Sequence, residues 1–182
     1  MDSFKFIEGV YAYYVTFTVV DWLPIFLNTE PINIINDSLH FCITSKFLRI
    51  YAYVIMPNHL HMIVFDAEFD NKRLQKTLAE LRKFTGHELA DYVDNHLATS
   101  FSIAIRSNPL NDRSRQVWLP GWHAEGLVSE AFLYQKANYI HENPVRKGYV
   151  RVPEYWRYSS AEFWINGIEG EIPISVVIEE GK

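Results

Sequence analysis

The chain has 182 residues, of which 48% are hydrophobic and 15% aromatic, and its formal net charge is −5. This size favours one domain over residues 1–182, and its C-terminal extension, 161–182, is acidic. The net acidity disfavours a protein that coats DNA through charge alone, and no apolar run reaches the roughly 18 residues that span a membrane.

The first half of the chain predicts a strand, a helix and a β-hairpin. An alternation of aromatic and β-branched residues is typical of a strand, and apolar residues at helical spacing follow Pro31. Pro57 and Asn58 separate two further apolar runs, which predicts a tight turn between antiparallel strands. The expected ranges are 10–20 for the first strand, 31–47 for the helix, and 48–56 and 59–65 for the other two strands.

The second half predicts two helices and short extended segments. Asp70 and Asn71 can cap a long helix, and Ser129 can cap a later one that Pro144 ends. The polar stretch 99–116 is expected to be a loop around a weak strand at Phe101–Ile105. The other expected ranges are helices at 72–97 and 130–142, an extended segment at 117–127 and a closing strand at 172–178. This order predicts an α+β fold with a ferredoxin-like split βαβ arrangement, in which helices pack on an antiparallel sheet.

Two histidines stand out in the third predicted strand. His59 and His61 are separated by one residue, so they point to the same face while Leu60 points into a core. Two imidazoles on one rigid face supply two-thirds of a divalent-metal site. The pair therefore predicts metal binding, without yet indicating a reaction.

A second group of polar residues lies near the end of the last long predicted helix. Tyr139 and Asn143 are four residues apart and share one helical face. An amide oxygen can bind a hard metal ion, and a tyrosine one turn away can act as a nucleophile on a group held by that metal. The same residues also suit an ordinary core aromatic and a helix stop at Asn143-Pro144, so this segment alone leaves both interpretations open.

The two groups together resemble the single-tyrosine HUH transposases, and in particular their REP-associated tyrosine transposase branch. The resemblance is carried by Met56–His61 (MPNHLH), Tyr139–Gly148 (YIHENPVRKG) and Tyr155–Ser160 (YWRYSS), in the same order along about residues 10–160. It implies a ferredoxin-like fold and a transposase that nicks and rejoins single-stranded, hairpin or palindromic DNA through a 5′-phosphotyrosine intermediate. It also implies that Tyr139 is the nucleophile and that His59, His61 and Asn143 hold Mg²⁺ or Mn²⁺.

The distribution of charge suggests where DNA would bind. Residues 106–157 carry eight basic and five acidic side chains, a net charge of +3 within an acidic chain. Cations and aromatic rings together are the elements of a surface for single-stranded DNA. The expected DNA-binding residues are Arg113, Arg115, Trp118, Arg146, Lys147, Arg151 and Arg157. His123 and Glu125 form a further polar pair that fits either the metal site or an ordinary surface.

Two other functions fit the same residues. One is a non-catalytic protein that binds DNA hairpins, and the other is a metal-dependent phosphodiesterase that forms no covalent intermediate. The resemblance is compatible with a monomer or a homodimer. The single Cys42 and the absence of a signal-peptide pattern at the N-terminus predict a cytoplasmic location.

Overall fold

A computed structural model describes residue 7 and residues 9–106, 115–121 and 123–176. Within these residues no helix is long and apolar enough to cross a membrane. The described residues form four strands and five α-helices. In chain order they are β1 (Tyr13–Thr18), α1 (Thr29–Ser45), β2 (Leu48–Met56), β3 (His59–Asp66), α2 (Asn71–His96), α3 (Thr99–Arg106), β4 (His123–Gly126), α4 (Glu130–Arg146) and α5 (Ala161–Asn166).

The strands form one antiparallel sheet in the order β2-β3-β1-β4. The α1 connection places β1 and β2 on either side of β3, which is a split βαβ unit. The α2–α3 connection likewise places β3 and β4 on either side of β1. This sheet order confirms the predicted α+β, ferredoxin-like fold.

The two faces of the sheet support two separate cores. One face packs against α1 and α2, and its core includes Phe17, Leu60 and Leu78. The other face packs against α4, and its smaller core includes Tyr14, Ile63 and Ile140. Side chains alternate along β1 and β3, so a residue two positions from an apolar member of the second core points to the same face. Such a residue can carry a polar group to that face.

The predicted weak strand at Phe101–Ile105 is wrong, because these residues lie in helix α3. Apolar residues at 101, 103 and 105 mimic strand alternation, but Phe101 and Ile105 are also four residues apart, as on one helical face. Ile105 is fully buried and Phe101 packs on the core, whereas Ile103 is exposed. The segment therefore forms a helix that buries two of the three side chains, and not the predicted strand.

Two further boundaries differ from those predicted. Helix α4 does not end at Glu142 but continues through Pro144 to Arg146. Residues 172–176 of the predicted closing strand form no strand, and residues 177–178 lie outside the described part. Ile172 instead packs this segment into the main core, and the Ser175 N–H donates a hydrogen bond to the Ile50 carbonyl at 2.8 Å. Pro173 lacks the N–H that a regular ladder would need.

Candidate active site

The histidine pair lies on the sheet face that α4 covers. His59 and His61 are 6% and 7% exposed, and their ring centroids are 4.6 Å apart. Leu60 points to the opposite face and joins the main core. The alternation inferred from the sequence therefore matches the orientation of all three side chains.

Hydrogen bonds engage the Nδ1 atom of each imidazole. His59 Nδ1 lies 2.7 Å from Asn58 Oδ1, and because an amide oxygen only accepts, Nδ1 must donate its proton. His61 Nδ1 lies 2.8 Å from both the Tyr14 and the Thr16 hydroxyls. Such bonds to one ring nitrogen orient a histidine so that Nε2 is available to a metal.

Burial keeps both imidazoles neutral. It is the largest cause that lowers the pKa of His59 to about 4, and the nearby Lys147 charge acts in the same direction. Burial also lowers the pKa of His61 to about 3, with further contributions from His59 and Arg146. Since a metal binds the neutral imidazole, protons do not compete for these nitrogens near neutral pH.

Tyr139 lies beside the histidine pair, with its ring at the surface. Its side chain is 40% exposed, and its ring centroid is 5.7 Å from that of His61. The Arg146 guanidinium lies 4.1 Å from the Tyr139 ring centroid and donates a hydrogen bond of 3.2 Å to the Tyr139 carbonyl. The extension of α4 past Pro144 makes this possible, because Arg146 follows Tyr139 by two helical turns.

Asn143 follows Tyr139 by one turn on α4 and is buried. Helix α4 packs on β2 and on β3, the strand that carries both histidines. Lys147 caps the end of the same helix and is exposed. The last two turns of α4 thus carry the predicted nucleophile and the predicted amide ligand, with two cations at the end of the helix.

Four residues at this site were not assigned to it from the sequence. Tyr14 and Thr16 reach His61 only because β1 pairs with β3 in a register that places Thr16 opposite His61. Trp22 is near His59, with ring centroids 6.0 Å apart. Lys136 precedes Tyr139 by three residues, and this helical spacing could have indicated its place. The Lys136 Nζ lies 4.6 Å from the Tyr14 ring centroid and 2.5 Å from Glu125 Oε2.

The expected DNA-binding residues are scattered. Arg146 and Lys147 are at the site, and Arg151 is exposed shortly after α4. Arg157 is exposed but pairs with Glu171, with 2.7 Å between Nη2 and Oε1. Arg113 lies outside the described residues. For His123, only the backbone pairing with Thr16 is described.

Two of these assignments do not fit the structure. Trp118 is 4% exposed, packs in the main core and donates from Nε1 to the Thr85 hydroxyl at 3.1 Å, so its assignment to a DNA-contacting surface is wrong. Arg115 binds Asp91 and Asp94 of α2 at 2.5 and 3.0 Å. These carboxylates neutralise its charge on the side of the sheet opposite the histidines, so Arg115 has a structural role there.

A second group could hold a metal ion elsewhere on the molecule. His87, Glu88 and Asp91 on α2 place their ligand atoms within 4.8 Å of one another. The His87 side chain is exposed, and Asp91 is already paired with Arg115. This cluster lies on α2, which covers one face of the sheet. Helix α4, which carries Tyr139, covers the other face.

His141 lies on α4 but has a structural environment. It is buried, and its Nε2 is 2.9 Å from the Ser160 hydroxyl, which in turn accepts the Tyr53 backbone N–H at 2.9 Å. Burial lowers the pKa of His141 to about 4. This side chain ties α4 to the segment that follows it.

The buried histidines make folding stability depend on pH. Because their pKa values in the folded state lie below the ordinary value of about 6.5, the unfolded chain binds more protons as the pH falls through that value. We expect the free energy of unfolding, measured with urea and EDTA, to fall between pH 6.5 and 5 by up to about 1.4 kcal/mol per pH unit for each of the three groups. His141→Gln should remove about a third of this slope; an unchanged slope would contradict the assignment.

Comparison with protein-family models and with curated proteins finds no match. Among solved structures, a REP-associated tyrosine transposase bound to a REP hairpin superposes with a TM-score of 0.65 and 16% identity, over 97% of this chain and 94% of that chain. A proposed transposase from Deinococcus radiodurans R1 gives a TM-score of 0.48 and 15% identity, over 79% of this chain and 97% of that chain. The first similarity shows that the two chains share a fold over nearly their whole length.

Proposed function

We propose that this chain is a metal-dependent single-strand DNA endonuclease and strand transferase of the tyrosine transposase type. The observation that carries the proposal is the position of the surface-exposed Tyr139 ring, 5.7 Å from the ring of His61 in a pair of neutral imidazoles. The shared fold with a REP-associated tyrosine transposase supports it. Hairpin DNA is the proposed substrate, because that solved protein is bound to a hairpin.

The donor atoms fit a divalent metal. Both imidazoles are neutral and hydrogen-bonded through Nδ1, which suits ligation through Nε2. We assign the amide oxygen of Asn143 as the third protein ligand, because it follows Tyr139 by one turn on the helix that covers the pair. When bound, Mg²⁺ or Mn²⁺ would act as a Lewis acid on a non-bridging oxygen of the scissile phosphate.

The Tyr139 hydroxyl would carry out the covalent step. Its oxygen attacks phosphorus, the bond from phosphorus to the 3′-oxygen breaks, and the phenolic proton is passed to that departing oxygen. One phosphodiester replaces another, so the phosphotyrosine retains the bond energy and a second 3′-hydroxyl can reverse the step without ATP. Arg146, stacked on the Tyr139 ring, places a positive charge where the phenolate forms.

The proposal is tested with a single-stranded DNA hairpin that carries a label and unpaired flanks, incubated with the protein and Mn²⁺. A labelled protein that survives a denaturing gel supports the covalent mechanism. Cleavage without an adduct indicates a metal-dependent phosphodiesterase instead. Binding without cleavage, on a hairpin that contains the correct site, indicates a non-catalytic binding protein. Solution mass with and without DNA distinguishes a monomer from a homodimer.

Asn143 gives a graded prediction for the metal site. Asn143→Ala removes the amide oxygen, and we expect the Mn²⁺ affinity to fall by roughly 10- to 100-fold. Asn143→Asp keeps an oxygen at the same position and adds a charge that attracts the cation, so affinity should be retained or increased. Calorimetric titration with Mn²⁺ measures both. Equal losses in the two variants would show that Asn143 acts through packing and not as a ligand.

A further inference from the structure

Trp22 is a large aromatic side chain exposed next to the histidine pair. It is 60% exposed, and its ring meets that of His59 edge to face, with centroids 6.0 Å apart. Single exposed apolar side chains are common on protein surfaces, so it is the position of this indole beside two buried imidazoles that points to a role. An exposed aromatic face is the surface on which an unpaired nucleobase stacks.

The backbone around Trp22 is held in an unfavourable conformation. Asp21 and Trp22 have φ angles of 52° and 54°, in the left-handed region that residues with a Cβ avoid. The turn is fixed by a hydrogen bond of 3.1 Å from the Trp22 N–H to the Val19 carbonyl. Strain of this kind tends to persist at functional sites, where the surrounding structure imposes it.

One side chain couples Trp22 to the proposed metal ligand. The Asn58 amide donates to the Trp22 carbonyl at 3.2 Å, while its oxygen lies 2.7 Å from His59 Nδ1. The same amide therefore bonds to the Trp22 turn and orients His59. Hydrogen bonds as well as the ring contact with His59 therefore hold Trp22 beside the proposed metal site.

Trp22 and Tyr139 flank opposite ends of the pair. Tyr139 contacts His61 and Tyr14, with ring centroids 5.7 and 6.2 Å apart respectively. Trp22 contacts His59, which pairs with Thr18 at the end of β1 where the Trp22 turn begins. The rings thus follow the order Tyr139, His61, His59, Trp22 along the strands.

From this order we propose that Trp22 is the stacking platform for the base of the nucleotide that carries the departing 3′-oxygen. This inference rests on the proposed function. Attack on phosphorus proceeds with the entering and leaving oxygens roughly in line. If the scissile phosphate is held at the histidine pair and Tyr139 attacks from one end, the leaving nucleotide lies toward the other end, where the indole is exposed.

The test combines variants of the protein with a change in the DNA. We expect Trp22→Ala to raise the dissociation constant for a labelled single-stranded hairpin by roughly 5- to 150-fold, measured by anisotropy in EDTA. Trp22→Phe keeps a smaller ring, so its dissociation constant should lie between those of the wild type and Trp22→Ala. Phe84→Ala, which removes an exposed ring from the helix on the other face of the sheet, should have no effect.

An abasic nucleotide immediately 5′ of the cleaved bond identifies the base. It should weaken binding to the wild type but add little to the loss in Trp22→Ala, whereas abasic nucleotides elsewhere should add fully to that loss. Trp22→Gly controls for folding, because glycine adopts the observed φ without strain. It should weaken DNA binding as much as Trp22→Ala does.

The outcomes separate this inference from the proposed function. If the wild type forms the adduct but Trp22→Ala binds DNA normally, the Trp22 inference is overturned and the proposed function stands. If neither the wild type nor any variant forms an adduct, the proposed function and the assignment of the leaving nucleotide both fail. A loss of affinity confined to the Trp22 variants would then still support base stacking. Full additivity of Trp22→Ala with the adjacent abasic nucleotide would overturn the choice of base.

Discussion

Replacing Tyr139 with phenylalanine is expected to abolish the covalent DNA–protein adduct and to reduce strand cleavage by a factor on the order of 10³ or more. The substitution removes one oxygen atom and leaves the ring that packs beside His61 and under Arg146. Because the residue is 40% exposed, folding should be unaffected. The measurement is the denaturing-gel assay with Mn²⁺ and labelled hairpin DNA, alongside anisotropy to confirm unchanged binding.

Tyr134 provides the matched control for this experiment. It lies five residues earlier on the same helix and is exposed, and its hydroxyl donates to Glu130 at 2.9 Å. Tyr134→Phe should leave both the adduct and the cleavage rate unchanged. An adduct that survives in Tyr139→Phe, or that disappears in Tyr134→Phe, would assign the nucleophile to another residue. Cleavage that persists without any adduct would favour the phosphodiesterase.

Local patterns in the sequence were sufficient to predict how residues of the candidate site are arranged within one element. The alternation of a strand places His59 and His61 on one face, and the spacing of a helix places Asn143 one turn after Tyr139. Both inferences need only the period of the element. The fold could be predicted from the order of strands and helices. Few ways of connecting the elements are compatible with an antiparallel sheet that has two helices on one face.

Features that depend on pairing between elements could not be predicted in this way. Thr16 reaches His61 only because of the register of β1 against β3. Trp118 is buried because it packs on aromatic rings of the main core and bonds to α2. Neither fact is encoded in a local period. Arg115 shows the same limit for charges, since a basic residue in a basic segment is neutralised by carboxylates about 20 residues away in sequence.

The proposed position of the metal leads to a prediction that distinguishes the two candidate sites. His59→Ala combined with His61→Ala should lower the affinity for Mn²⁺ by roughly 100-fold or more and abolish cleavage, because the two substitutions remove both proposed imidazole ligands, which hydrogen bonds already orient. His87→Ala removes a member of the exposed cluster on α2. It should leave the Mn²⁺ affinity and the cleavage rate unchanged. Calorimetric titration and the cleavage assay give the two readouts.

The opposite pattern would separate metal binding from catalysis. If His87→Ala removed Mn²⁺ binding while the double variant retained it, the ion would lie on the helix that covers the other face of the sheet, and the imidazoles near Tyr139 would need another role. Hairpin binding in EDTA guards against misfolding of the double variant, since we expect that binding to need an intact fold but no metal. Retained DNA binding together with lost Mn²⁺ binding in the double variant alone would assign the ion to the face where Tyr139 lies.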